Sequence, residues 1–192
     1  MNDVSELRQQ LRSFDDDDLA RVRLMPGAEI TPRPIHWLWN HWLACGKIHI
    51  IGGQPGTGKT TLALALAATV TVGGVWPDGT KAARGNVLIW SGEDDPQDTL
   101  VPRLAAAGAD LTRVFFVNDW TLADKSRPFD PSRDVDALAR TLGTTEISLM
   151  VVDPIVSAVA GDSHKNAEVR RSLQPIADLA TRTGCAVLGI TH

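Results

Sequence analysis

One glycine-rich run in this chain combines the residue types that bind phosphate. Residues 53–60 fit the pattern G-x-x-x-x-G-K-[ST] at every fixed position. Glycines let the backbone turn its N–H groups inward on a phosphate chain, and a lysine and a hydroxyl add a cation and a Mg²⁺ ligand. The run predicts binding of ATP with Mg²⁺, through Gly53, Pro55, Gly56, Thr57, Gly58, Lys59, Thr60 and Thr61.

The context of this run supports the same prediction. An apolar segment precedes it and an Ala/Leu-rich segment follows it, which is the strand-loop-helix setting that a phosphate loop requires. We expect Lys59 to reach the β- and γ-phosphates, Thr60 to bind Mg²⁺ and Thr61 to contact the α-phosphate. The alternative is a glycine-rich turn that binds nothing, but a chance match of all fixed positions in this setting is improbable.

A second candidate lies where another apolar run ends in a carboxylate. Residues 148–152 are followed by Asp153, and the carboxyl ends of strands form the ligand crevice of an open α/β sheet. Asp153 is therefore predicted to bind Mg²⁺ together with Thr60. Because Pro154 follows, rather than a glutamate, the base that activates water must come from elsewhere.

Three acidic residues follow a further apolar run and are candidates for that base. We expect Glu93 to hold and polarise a water in line with the γ-phosphate, since phosphoryl transfer depends mostly on positioning and charge stabilisation. Asp94 is the second choice. The alternative is that the cluster of Glu93, Asp94 and Asp95 caps a helix that begins near Pro96.

Other polar residues carry weaker signals. His192 ends an apolar run at the predicted crevice edge, where it is either structural or a sensor of the γ-phosphate. Solvation and helix capping explain two further groups better than metal binding does, because charge runs usually stay in water and the spacing matches no ligand pattern. These groups are Asp15 to Asp18, and Asp162, His164, Asn166 and Glu168.

The remaining pattern alternates strand-like and helix-like segments, which predicts an α/β fold with a parallel sheet and crossover helices. Strands are predicted at 47–51, 86–91, 114–117, 148–153 and 186–191, and helices at 59–72, 96–107, 132–143 and 166–183. Residues 1–30 are predicted to form an arm or linker, and residues 31–192 one domain. Trp37, Trp39 and Trp42 are expected to pack against that domain rather than to stack on adenine.

Bulk properties exclude several classes of protein. The chain has 192 residues, 43% of them hydrophobic, and contains no apolar run long enough to span a bilayer. The polar start lacks the layout of a secretory signal, so we expect a cytoplasmic protein with Cys45 and Cys185 reduced. The formal net charge of −4 removes the simplest argument for DNA binding, so any DNA contact must be local.

Four segments together carry a family resemblance: residues 53–60, 91–95, 151–154 and 184–192. From about Trp37 onward the chain resembles the AAA-family ATPases of plasmids and phages that are similar to the RepA hexameric replicative helicase, within the RecA-like group. The resemblance implies a three-layer α/β/α P-loop NTPase core, a homo-oligomer in the form of a hexameric ring, and single-stranded DNA as a partner. It also implies Glu93 as the catalytic base and His192 as the γ-phosphate sensor.

The resemblance has one departure. RecA-like cores continue past this last strand with further strands, DNA-binding loops and a finger residue offered to the neighbouring subunit, whereas this sequence stops at His192. We therefore expect a core that is incomplete at its C-terminus. The predicted function is an ATPase of the replicative-helicase or DNA-motor class, and the alternatives are a regulatory nucleotide-binding module and a small-molecule P-loop kinase.

Overall fold

The computed structural model of the protein describes residues 24–158 and 166–191. The chain divides into two units, Met1–Pro34 and Ile35–His192. In the first unit the described residues include a 3₁₀ turn at Gly27–Glu29. Asp15 to Asp18 lie outside the described residues.

The described part of the second unit forms nine β-strands and four α-helices. The strands are β1 Trp37–Trp39, β2 Leu43–Ala44, β3 Ile48–Gly52, β4 Val87–Ser91, β5 Val114–Phe116, β6 Asp119–Leu122, β7 Lys125–Pro128, β8 Leu149–Asp153 and β9 Ala186–Thr191. The helices are α1 Lys59–Val72, α2 Val101–Ala106, α3 Val135–Leu142 and α4 Asn166–Thr183. Among these helices, none is both long and apolar enough to cross a membrane.

Five of these strands form one sheet in the order β3-β9-β8-β4-β5, and every neighbouring pair is parallel. The carboxyl ends of parallel strands meet at one edge, and the register makes this explicit. Gly52 pairs with Thr191, and Ser91 pairs with Asp153. The candidate residues that end separate apolar runs are therefore brought to a single edge of the sheet.

Helices cover both faces of this sheet, which confirms the predicted three-layer α/β/α architecture. Alternate residues of β4 belong to different hydrophobic clusters: Val87 and Ile89 pack with α1 and α2, whereas Leu88 and Trp90 pack with α3 and α4. All five residues of β8 are buried. A strand that is covered on both faces needs a continuous apolar run. Burial of each aliphatic side chain stabilises the folded state by roughly 1.5–3 kcal/mol relative to leaving it exposed.

Two predicted helices differ from the structure at their starts. The segment 96–107 was expected to be one helix, but it forms a π-helical turn at Pro96–Leu100 before α2. Pro102 has no N–H to donate, so it cannot continue the hydrogen-bond ladder of a helix that started at Pro96. Likewise α3 begins at Val135 rather than at 132, because the side chain of Asp130 accepts hydrogen bonds from Ser132 and holds a turn there.

The strands β6 and β7 form an antiparallel hairpin that the hydrophobic pattern does not predict. Arg127 of this hairpin lies over the ring of Trp120, 4.4 Å from its centroid, and forms two hydrogen bonds with the buried carboxylate of Asp134. These contacts attach the hairpin to the start of α3. A two-stranded hairpin is marginal alone, so such tertiary contacts decide its formation.

The tryptophans near the start of the second unit form a stack. Trp39 lies between Trp42 and Trp76, with ring centroids 5.3 Å and 5.0 Å away, and its indole N–H donates to Asp78. Trp39 and Trp76 are buried in the core, whereas Trp42 is largely exposed. Of the three tryptophans expected to pack against the domain, Trp39 is buried, whereas Trp37 and Trp42 are 37% and 64% exposed.

Candidate functional site

The glycine-rich loop connects β3 to α1, and its backbone explains two of its glycines. Gly56 and Gly58 have φ angles of 78° and 84°, in the left-handed region that favours glycine. A Cβ at either position would meet no neighbouring atom within 4 Å, so the requirement is backbone conformation and not space. Gly58 directly precedes α1, which places the N-terminus of a fourteen-residue helix at the loop. A helix N-terminus attracts anions through its N–H groups and its dipole.

Lys59 is held inside this loop. Its side chain is buried, and its ammonium group donates to the carbonyl oxygens of Gly53 and Gln54 at 2.7 Å and 2.8 Å. The hydroxyl of Thr57 also donates to the Gln54 carbonyl, at 2.8 Å. The loop is thus closed on itself by two side chains, and a positive charge lies at its centre.

Thr60 and Asp153 form the contact that joins the loop to the rest of the sheet edge. The Thr60 hydroxyl donates to Oδ2 of Asp153 at 2.6 Å, although 93 positions separate them in the sequence. Asp153 is only 4% exposed at the end of β8. A hydroxyl and a carboxylate side by side are the oxygen ligands that Mg²⁺ takes from proteins, with waters and substrate phosphates completing its shell.

This donor set fits a magnesium ion shared with a phosphate chain. Within residues 24–158 and 166–191, no group of three or more His, Cys, Asp or Glu side chains is arranged to hold a metal. A pair of protein oxygens suits an ion whose other ligands come from a nucleotide. Of the four polar residues for which solvation and helix capping were preferred to metal binding, Asp162 and His164 lie outside the described residues.

Glu93 lies in the loop that follows β4, next to the strand that carries Asp153. The N–H of Gly92 donates to the backbone carbonyl of Asp153 at 2.8 Å. The Ser91 hydroxyl accepts from the N–H groups of Glu93 and Asp94, at 3.3 Å and 2.9 Å. These bonds fix the backbone of the acidic loop at the same edge as the phosphate loop, and the side chain of Glu93 is exposed there.

Within the acidic cluster, Asp95 is the residue that caps the start of a helical segment. The side chain of Asp95 accepts from the N–H groups of Gln97 and Asp98 at 2.7 Å and 3.3 Å, and so caps the π-helical turn. This interaction satisfies N–H groups that a helix start leaves without partners. Asp95 is therefore structural, which leaves Glu93 and Asp94 as the acids to consider for chemistry.

Arg103 is a site residue that sequence reasoning missed. It lines a cavity of about 230 Å³ whose other walls are the loop and the first turn of α1, from Gly56 to Thr61. Its guanidinium lies 3.5 Å from the carboxylate of Asp94. A signal existed in the sequence: Arg103 is a basic residue on the segment that follows the acidic loop after β4.

Among the described residues, larger cavities of about 360, 450 and 670 Å³ contain no residue of the phosphate loop. The cavity of about 230 Å³ beside the phosphate loop is the better candidate for a nucleotide site. Its backbone N–H groups, Lys59 and Arg103 provide the chemistry that a phosphate chain needs. Thr191 ends β9 beside Gly52, which places the end of that strand at the same edge. His192, predicted as a sensor, lies outside the described residues.

Comparison with known proteins agrees with this geometry. A family model described as an AAA domain matches residues 18–192. A search of curated proteins found no match. The match covers the phosphate loop, the acidic loop after β4, and Asp153. The chain therefore belongs to the AAA domain family, whose members are nucleotide-binding P-loop ATPases.

Proposed function

We propose that this protein binds Mg-ATP at the loop of residues 53–60 and hydrolyses it. The observation that carries the proposal is the 2.6 Å hydrogen bond between Thr60 and Asp153. It places a loop hydroxyl and a buried strand-end carboxylate where one cation can bind both. A glycine-rich turn without a ligand needs no such alignment of two distant segments.

Binding of the triphosphate follows from the loop. Backbone N–H groups around Gly56 and Gly58, together with the N-terminus of α1, surround the phosphate oxygens. Lys59 contributes a buried ammonium group from within the loop, and Arg103 of α2 lines the same cavity. Two cations beside one cavity match the charge of a triphosphate better than that of a neutral ligand.

Thr60 and Asp153 would hold Mg²⁺ beside this phosphate chain. When bound, the ion neutralises the charge that develops on the phosphate oxygens during transfer. Asp153 contributes a negative charge from a buried strand end, and the 2.6 Å hydrogen bond orients its Oδ2 toward the loop. The protein oxygens are thus fixed before any ligand arrives, so little reorganisation accompanies binding.

Glu93 is the group that we assign to the attacking water. The water oxygen forms a bond to the γ-phosphorus as the bond to the β,γ-bridging oxygen breaks, which yields ADP and inorganic phosphate. Glu93 accepts a hydrogen bond from this water and takes up its proton, and the proton then passes to phosphate or solvent. The short loop after β4, anchored by Ser91 and by the carbonyl of Asp153, supports this position.

We further propose that the ATPase drives a motor of the replicative-helicase type. This finer proposal is supported by the resemblance of residues 53–60, 91–95, 151–154 and 184–192 to RepA-like proteins. In that class a homo-oligomeric ring acts on single-stranded DNA. Faster phosphate release with single-stranded DNA supports the motor, whereas transfer of phosphate to a metabolite, or tight binding without turnover, would replace it with a kinase or a regulatory module.

One experiment tests the site itself. Lys59→Ala should weaken ATP binding at least about 100-fold, because the change removes a buried charge from the phosphate cavity. Glu93→Gln should bind ATP normally but lower kcat by roughly 10²–10⁴-fold, the usual contribution of a general base. Lys47→Ala is the matched control, since Lys47 is exposed just before β3, at the end of the strand away from the loop.

Calorimetry gives the affinities and phosphate release gives kcat. Unchanged ATP affinity in Lys59→Ala would refute the proposed site. Unchanged kcat in Glu93→Gln would remove that residue from the mechanism while leaving the binding site in place.

A further inference from the structure

The loop that carries Glu93 begins with a serine hydroxyl that accepts two successive backbone N–H groups. The Oγ atom of Ser91 accepts from the N–H of Asp94 at 2.9 Å and from the N–H of Glu93 at 3.3 Å. We propose that Ser91 is a positioning residue for ATP hydrolysis, because its hydroxyl fixes the backbone from which Glu93 reaches the attacking water. This inference rests on the proposed function, since it requires Glu93 to act as the base.

The side chain of Ser91 lies on the face of the sheet that α1 covers. Successive residues of a strand point to opposite faces, and Val87 and Ile89 of β4 pack on the side of α1. Ser91 is the next residue in this alternation, and it pairs in register with Asp153 of β8. Asp153 in turn accepts a hydrogen bond from Thr60 at the start of α1. The turn after β4 therefore starts beside the proposed Mg²⁺ ligands.

Two further contacts fix the loop one residue before Glu93. The N–H of Gly92 donates to the backbone carbonyl of Asp153 at 2.8 Å. A Cβ at Gly92 would lie 3.0 Å from the ring of Trp90, so glycine allows the backbone to pass close to that buried ring. Both contacts act at Gly92, whereas the Ser91 hydroxyl reaches the N–H of Glu93 itself.

The phosphate loop is held by bonds in which Ser91 takes no part. Lys59 donates to two loop carbonyls, and Thr60 donates to Asp153. Loss of the Ser91 hydroxyl should therefore displace the base and leave the groups that bind nucleotide in place. Misplacement of a reacting group by about 1 Å can lower the rate by up to about 100-fold. The expected effect is thus on kcat and not on nucleotide affinity.

Phosphate release and calorimetric titration with a non-hydrolysable ATP analogue test this inference in the intact chain. Ser91→Ala should lower kcat about ten-fold and keep the affinity for the analogue within about two-fold, since the binding groups stay in place. Ser91→Thr keeps a hydroxyl and should recover most of kcat. Unchanged kcat in Ser91→Ala would overturn the inference, and so would a loss of analogue affinity as large as the loss of kcat.

A double variant shows whether Ser91 acts through Glu93. In the Glu93→Gln background, Ser91→Ala should change kcat less than about two-fold, because the base that the hydroxyl positions is already absent. An equal loss of kcat in both backgrounds would show a role of Ser91 that is independent of Glu93, and would overturn the inference.

Thr99→Ala is the matched control for loss of a hydroxyl. Thr99 follows the acidic loop, and its hydroxyl donates to the side chain of Asp98 at 2.7 Å. Because this exposed bond does not hold the backbone of the acidic loop, its loss should change kcat less than about two-fold. Failure of the proposed function is recognised separately, because Lys59→Ala would then bind the analogue as tightly as the wild type.

Discussion

Two aspartates of this domain are equally buried but have different partners. Asp134 and Asp153 are each 4% exposed. Asp134 accepts two hydrogen bonds from the guanidinium of Arg127, at 2.6 Å and 2.7 Å, and a third from the N–H of Asp130. Asp153 accepts from the hydroxyl of Thr60, at the carboxyl edge of the sheet.

The partners show what each buried charge does. Three hydrogen bonds from Arg127 and Asp130 satisfy both oxygens of the Asp134 carboxylate, and they fix the β6–β7 hairpin to the start of α3. Arg127 is close in the sequence, so this pair organises a local structure. Thr60 comes from a distant segment, and its hydroxyl is the group that we propose as a magnesium ligand. Burial alone therefore does not mark a carboxylate as functional. The chemical type of its partner, and the distance of that partner in the sequence, are more informative.

The largest expected difference between the two aspartates is in turnover. Asp153→Asn should lower the rate of ATP hydrolysis by roughly 10–100-fold and raise the Mg²⁺ concentration required, because an amide is a poorer ligand than a carboxylate. Asp134→Asn should keep turnover per folded molecule within about two-fold. Phosphate release measured against Mg²⁺ concentration distinguishes them. Equal losses in both variants would contradict the division of roles.

A smaller effect is expected on thermal stability. Arg127→Met keeps an apolar stem over Trp120 but leaves the Asp134 carboxylate without its guanidinium, so we expect Tm to fall by about 5 °C. Arg133→Met is the matched control, since Arg133 forms an exposed pair with Asp130 and its loss should shift Tm by less than about 1 °C. Differential scanning calorimetry checks both values. Equal shifts would show that Arg127 acts only as a surface charge.

The smallest effect is a pH dependence of that stability. The hydrogen bonds from Arg127 lower the pKa of Asp134 below its ordinary value. A carboxyl group with a lowered folded-state pKa contributes stability above its unfolded pKa of about 3.9, and this stability is lost as the pH falls through the folded value.

The difference in free energy of unfolding between wild type and Arg127→Met should therefore be constant above about pH 5 and shrink below about pH 4. Denaturant titrations at several pH values measure it. A difference that grew as the pH fell would rule out Asp134 as the group stabilised by Arg127.

Much of the fold was predictable because its signals are local. The bounds of α1, α4 and β9 agree with the predicted segments, since long periodic or apolar runs with clear stops define them. Gly184, with a φ of 73°, follows α4 as the predicted stop. The π-helical turn was not predicted, because Pro102 interrupts a segment whose hydrophobic pattern is otherwise helical. The β6–β7 hairpin was not predicted, because it depends on the tertiary contact between Arg127 and Asp134.

The sequence alone determined the phosphate loop, because glycine conformations, a lysine and a hydroxyl at fixed spacing specify that loop without reference to the rest of the chain. It also placed Asp153 and Glu93 at strand ends. Only the tertiary structure decided which distant partners meet there: Thr60 with Asp153, and Arg103 with both Asp94 and the cavity. These contacts depend on strand order and helix orientation, which no single segment encodes.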